Sequence, residues 1–123
     1  MAWTDAQQSA IDSRGENLLV SAAAGSGKTA VLVQRIIDIV LNEKVDVQNL
    51  LIVTFTNAAA AEMKDRIQKM LMQRMLDNPK ESHYLTKQIQ NLPRASISTM
   101  HSFCIDILRR NFHMLDLDPS FKI

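Results

Sequence analysis

The stretch Ala22-Ala23-Ala24-Gly25-Ser26-Gly27-Lys28-Thr29 constrains this chain more than any other. Its small residues let the backbone turn tightly, and Gly25 and Gly27 tolerate conformations closed to other residues. Before it, Asn17 to Ser21 is a short apolar run suited to a strand buried on both faces. After it, Lys28 to about Leu41 carries Val31, Leu32, Ile36, Ile39 and Val40 at helical spacing. A strand, a tight turn and a helix in that order aim successive N–H groups at one point, which makes a concavity for anionic oxygens. The segment fits the phosphate-loop pattern G-x-x-x-x-G-K-[ST] except at its first position, where Ala22 replaces glycine. That replacement is compatible with the turn if Ala22 has negative φ, and it puts more weight on Gly25 and Gly27.

The chemistry expected there is triphosphate binding. Backbone amides from Ala22 through Thr29 would wrap the phosphates of ATP, and Lys28 would neutralise the β- and γ-phosphates as a point charge. The Thr29 hydroxyl would ligate Mg²⁺, so Lys28 and Thr29 are the expected catalytic pair and Thr29 the metal ligand. The plainer alternative is a glycine-rich turn with an incidental Lys-Thr.

The rest of the chain alternates strand and helix. Thr4 followed by Gln7 has the form of a capping box opening a short helix. Leu50 to Thr54 is a second buried-strand candidate. Asn57 is a suitable N-cap, and a helix follows with Met63, Ile67, Met70, Leu71 and Met75 on one face. Asn78-Pro79 stops it. A shorter helix is expected from Ser82 to Asn91, a strand from Ser96 to Ser98, and a helix from Thr99 to about Asn111. Alternation of this kind implies an α/β fold with parallel strands joined by crossovers.

Composition narrows the classes. With 123 residues the chain is one domain at most. No apolar run approaches the roughly 18 residues a membrane span needs. Cys104 is the sole cysteine, so an internal disulfide is excluded and a cytoplasmic location is expected. Net charge is +1, but between Lys64 and Arg110 nine basic residues face four acidic ones. Such a bias serves a nucleic-acid backbone or a solvated helix face equally well. A phosphate-loop hydrolase also needs a carboxylate at a strand end for Mg²⁺, yet the sequence contains no Asp-Glu dipeptide. Asp106 falls mid-helix and reads as a solvated acid.

Four ordered stretches together carry a resemblance. They are Thr4-Asp5-Ala6-Gln7-Gln8-Ser9-Ala10-Ile11, the phosphate loop, Thr54-Phe55-Thr56-Asn57-Ala58-Ala59-Ala60-Ala61-Glu62-Met63, and Ser98-Thr99-Met100-His101-Ser102-Phe103. Over nearly its whole length the chain resembles the start of superfamily 1 DNA helicases of the UvrD/PcrA/RecB type. Trp3-Thr4-Asp5, the loop continuing into Ala30, Arg94 to Thr99 and Leu115 to Pro119 are similar to the AddA branch of helicase–nuclease subunits.

The resemblance implies a fold and a set of roles. The fold would be a P-loop NTPase (RecA-like) core, with residues 1–123 the N-terminal part of one incomplete domain. Gln7 would read the adenine edge, or else be a solvent-facing helix glutamine. Phe55 would touch single-stranded DNA bases, or else be a core aromatic at a strand end. Thr56 and Asn57 would contact the DNA backbone or cap a helix, while Thr99 and His101 would line a strand-binding channel. Cys104 reads as a small buried hydrophobe.

The resemblance further implies an ATP-dependent DNA helicase and nuclease in double-strand-break repair. Its substrate would be single- and double-stranded DNA, with no membrane involved and with an AddB-like partner subunit. Later elements would supply the Mg²⁺-binding Asp-Glu and the nuclease, so the isolated chain is expected to lack full activity. UvrD-type relatives carry an adenine-stacking arginine where this chain has Ala30, so Gln7 and Trp3 are the candidates for holding the base. A UvrD-type helicase without nuclease, a small phosphate-loop kinase and a non-catalytic DNA-binding module are the competing readings.

Overall fold

The structure, a computed structural model, describes residues 2–21 and 27–114. Seven regular elements follow in order: α1 (Asp5–Asp12), α2 (Lys28–Asn42), β1 (Leu51–Thr54), α3 (Asn57–Asp77), α4 (Ser82–Asn91), β2 (Ser96–Thr99) and α5 (Met100–Arg110). Strands β1 and β2 pair in parallel, in register Leu51↔Ser96, Ile52↔Ile97, Val53↔Ser98 and Thr54↔Thr99. A parallel pair cannot be closed by a hairpin, and α3 and α4 form the crossover between the two strands. The α/β alternation with parallel strands is thus present.

The largest core joins α2, α3, α4 and the two strands, and a smaller cluster of Ala10, Ile11 and Val31 packs α1 on α2. Val33, Ile36, Ile37, Val40 and Leu41 of α2 meet Met63, Ile67 and Leu71 of α3, with Leu85 of α4 and the strand residues Ile52 and Ile97. In α3 the spacing of Met63, Ile67 and Leu71 sets them on one face, as the sequence predicts, and Met70 and Met75 flank it half-buried. Each fully buried Leu or Ile contributes about 1.5–3 kcal/mol by leaving water. Ile67, with no exposed surface, marks the centre.

Gln88 is the polar residue of this core, and it is wholly buried. Its Oε1 accepts from the Val47 amide at 2.8 Å and its Nε2 donates to Asp46 at 2.8 Å. Both ends of the carboxamide are therefore satisfied, and α4 is fastened to the segment that enters β1.

Helix α1 is held at both ends. Its start is the capping box the sequence predicts: the Gln7 amide donates to Thr4 Oγ1 at 3.2 Å and the Thr4 amide donates to Gln7 Oε1 at 2.9 Å. Its end is held by an arginine of α2. Arg35 Nη1 donates to the carbonyls of Ala10 and Ser13, both at 2.7 Å. Arg14 adds bonds to the Ile11 and Ser13 carbonyls and pairs with Asp38 at 3.1 Å and Glu43 at 2.7 Å. Carbonyls left over at a helix C-terminus carry partial negative charge, so cationic donors suit them.

Three expectations are corrected. Asn17–Ser21 forms no strand: it has no regular secondary structure, and Leu19 is 91% exposed. Apolar side chains alone do not make a strand, because its N–H and C=O groups need a ladder partner, and β1 and β2 pair only with each other. The α3 cap is Thr56 rather than Asn57, since Thr56 Oγ1 accepts from the Ala59 amide at 3.0 Å. Finally, Cys104 is exposed, not buried. None of the residues of α5 is fully buried among the described residues, and Met100 and Ile107 lie open.

Candidate functional site

Residues Ala22, Ala23, Ala24, Gly25 and Ser26 of the phosphate-loop pattern lie outside the described residues. The described part of the site begins at Gly27. Gly27 is the N-cap of α2 and has φ +87°, a left-handed conformation in which only glycine is unstrained. From there the chain enters a 15-residue helix, and the Gly27 carbonyl accepts from the Val31 amide at 3.0 Å. Lys28 and Thr29 occupy the first turn; both are exposed and make no side-chain hydrogen bond or ion pair among the described residues. Their amides have no intrahelical acceptor at this end of a helix.

Gln7 lies against this helix start. A Cβ placed on Gly27 would stand 3.7 Å from Gln7 Nε2. Because Gln7 Oε1 is taken by the capping box, the Nε2 end faces Gly27 as a donor. Gln7, Val20, Ser21 and Lys28 share the lining of a cavity of about 240 Å³. The juxtaposition depends on Arg35, which clamps the far end of α1 to α2. Nothing in the spacing of Gln7 and Arg35 signals that link, and sequence reading missed it.

The nucleotide fit can be judged on these groups. A left-handed glycine at a helix N-terminus, a lysine and a hydroxyl unpaired among the described residues, and an amide donor offer positive or hydrogen-donating character to an anion. That donor set suits a triphosphate.

The second group of candidates gathers at the sheet edge. Thr54 and Thr99 close the strand register, so Phe55, Thr56 and Asn57 emerge beside Thr99 and His101. Phe55 is fully exposed at 104%, which overturns its reading as a core aromatic. Thr56 and Thr99 both cap helices, Thr99 Oγ1 accepting from the Ser102 amide at 3.1 Å and bonding Ser102 Oγ at 2.9 Å. Asn57 and His101 are exposed. Asp106 is exposed on α5, as expected of a solvated acid.

The described residues thus define an α/β class of protein with a two-stranded parallel sheet. The UvrD/REP helicase N-terminal domain model matches residues 3–123, and the chain belongs to that family. It is 60% identical over 121 residues to an ATP-dependent helicase/nuclease subunit of Alkaliphilus metalliredigens, in keeping with the resemblance to the AddA branch. The proteins of the same name from Clostridium beijerinckii and Geobacillus kaustophilus are 58% and 57% identical over 123 residues. Each alignment covers 98% of this chain, which spans 10% of the length of those relatives. No helix among the described residues is long and apolar enough to cross a membrane.

Proposed function

We propose that this chain is the N-terminal ATP-binding segment of an ATP-dependent DNA helicase/nuclease motor of the AddA type, acting in double-strand-break repair and recombination in the cytoplasm. Residues 1–123 are the first part of a P-loop, RecA-like core domain, single and incomplete. The observation that carries the reading is the meeting of Gln7 Nε2 with Gly27, 3.7 Å from where a Cβ would stand, at the helix start that bears Lys28 and Thr29. Two segments separated by the loop converge on one anion-binding point.

Mg-ATP, when bound, supplies the phosphoryl group whose transfer drives the motor. The Lys28 and Thr29 amides and the loop before them would hold the phosphate oxygens, and Lys28 would neutralise charge that grows in the transition state. Thr29 would offer its hydroxyl to Mg²⁺, and Gln7 would orient the nucleotide through its carboxamide. Phe55 stacks on bases of single-stranded DNA, while Thr56, Asn57, Thr99 and His101 engage its backbone. Its partners are DNA and an AddB-like subunit. In the whole protein the nucleotide state gates movement along DNA; the isolated chain binds nucleotide weakly and turns it over negligibly.

Calorimetric titration with Mg-ATP tests the reading. Lys28→Ala should abolish measurable binding; a variant that binds as tightly as the parent would sink it. The small-kinase reading finds no support in the described residues. The DNA-binding-module reading would gain if single-stranded DNA bound while Lys28→Ala changed nothing.

A further inference from the structure

Phe55 lies between the last residue of β1 and the cap of α3, and its side chain is fully exposed. Among the described residues nothing covers its ring, so its placement comes from the backbone on either side. On the N-terminal side, Thr54 ends β1 and stands in register with Thr99 of β2. On the C-terminal side, Thr56 is fixed twice. Its Oγ1 accepts from the Ala59 amide at 3.0 Å, and its carbonyl accepts from the Ala60 amide at 3.1 Å.

A further bond joins these two anchors across Phe55. The Thr54 hydroxyl donates to the Thr56 carbonyl at 2.9 Å. A threonine hydroxyl has a single donor, and here it is directed at a backbone group two residues on. The Thr56 carbonyl thus accepts from both the hydroxyl and the Ala60 amide, which engages both of its lone pairs. The segment is closed into a small ring, and the freedom left to Phe55 lies mainly in its two side-chain torsions. A hydrogen bond open to water adds little net stability. A contact residue gains more from it, because a group already ordered loses less freedom when it binds.

We propose that Thr54 is a positioning residue for single-strand binding: its hydroxyl, bridging to the Thr56 carbonyl, holds the Phe55 backbone so that the ring meets a base already in place. The inference rests on the reading of Phe55 as a base-stacking residue. Thr54 acts through Phe55 and not by touching DNA; its own side chain is half-buried at the strand end. Stacking accepts any base, so the role is independent of DNA sequence. Thr54→Val keeps the branched shape that suits a strand and removes the donor. Thr54→Ser keeps the donor and removes a methyl group.

The full chain is titrated against a labelled oligothymidine by fluorescence anisotropy, in EDTA and without nucleotide, with melting curves alongside. The variants are Thr54→Val, Thr54→Ser, Phe55→Ala and the double variant Thr54→Val with Phe55→Ala. Thr54→Val should weaken binding about threefold to tenfold, and Thr54→Ser should stay within about twofold of the parent. In the double variant the Thr54 change should add nothing to the loss caused by Phe55→Ala, because the ring it positions is gone. An abasic oligonucleotide of the same length should bind the parent and Thr54→Val within about twofold of each other. Unchanged binding by Thr54→Val, equal losses for valine and serine, or a double variant in which the two losses simply multiply would overturn the positioning role and leave Phe55 stacking intact. If Thr54→Val does not fold, Thr54→Ala replaces it; if neither folds, the hydroxyl serves the fold and the proposal falls. Unchanged binding by Phe55→Ala, or no binding by the parent, would remove the stacking reading itself and this inference with it.

Discussion

Thr54 and Thr99 face one another as the last register pair of the parallel sheet. Each strand therefore ends at the same edge, and each passes into a helix capped by a threonine, Thr56 for α3 and Thr99 for α5. Two helix N-termini open on that edge, where backbone N–H groups favour negative charge. Phe55 stands there with its ring in water. Its full exposure means that Phe55 contributes little to the core of the described residues.

Phe55→Ala should therefore separate binding from stability. Base stacking of about 1–3 kcal/mol corresponds to a loss of roughly fivefold to 150-fold in affinity for single-stranded DNA. The melting temperature should barely move, since substitutions of exposed residues cost within about 0.5 kcal/mol. Fluorescence anisotropy with a labelled oligonucleotide reads the first quantity. Unchanged affinity would remove Phe55 from the interface.

Thr56→Ala should cost about 1 kcal/mol, because the Ala59 amide loses its acceptor at the start of the longest helix. Thr56→Ser, which keeps the hydroxyl, should cost much less. Urea midpoints at constant slope measure both. Equal losses for alanine and serine would show that the cap is not what Thr56 contributes.

Arg35→Ala removes two hydrogen bonds to the last carbonyls of α1, at Ala10 and Ser13. Bonds to a charged donor contribute about 1.5–3 kcal/mol each when lost from a partly buried site. The variant should be less stable and should also bind Mg-ATP more weakly, since Gln7 rides on α1. Arg35→Lys should restore neither fully, because an ammonium lacks the planar fork. Stability lost with unaltered nucleotide affinity would show that α1 keeps Gln7 in place without this clamp.

Gln88→Leu conserves volume but strands the buried Val47 amide and the Asp46 contact. The unpaired amide should cost about 1–3 kcal/mol. The urea midpoint reads it, and a neutral result would mean that the Val47 amide finds water instead.

Tyr84 gives an alkaline dependence that can be tested. Burial first, and the nearby Asp46 charge second, raise its phenol above the usual value of 10.0. Its hydroxyl donates to the Val40 carbonyl, and Lys44 Nζ sits 4.6 Å from its ring. A raised folded value favours the neutral phenol, so its contribution is fully present below the unfolded pKa and is lost as pH climbs through the folded one. Stability should fall above about pH 10 in the parent. Tyr84→Phe should be weaker by about 1 kcal/mol at neutral pH and should lose that alkaline step. Urea midpoints across the alkaline range, with the phenolate absorbance of this single tyrosine, check both.

The five helices were legible because their signals are local. Apolar residues at Met63, Ile67 and Leu71, the Thr4–Gln7 capping box and the Asn78-Pro79 stop each act within a few residues of where they stand. The parallel pairing of Leu51–Thr54 with Ser96–Thr99 followed from strand and helix alternation. Other features needed partners far along the chain. The Asn17–Ser21 run has strand composition, but a ladder is a property of two segments, and none in the described residues pairs with it. Phe55 and Cys104 carry no mark that tells exposure from burial; only packing does.

Sequence by itself determined the residue types at the start of α2, Gly27, Lys28 and Thr29, because a tight turn into a helix is built from consecutive residues and their backbone. Tertiary structure decided that Gln7 would stand beside Gly27, that Arg35 would hold it there, and that Trp3 would pack on Ala10, Ile11 and Val31. Those contacts arise from the packing of α1 on α2, which local chemistry does not encode, since hydrophobic burial fixes which faces meet but not which polar groups then fall within reach.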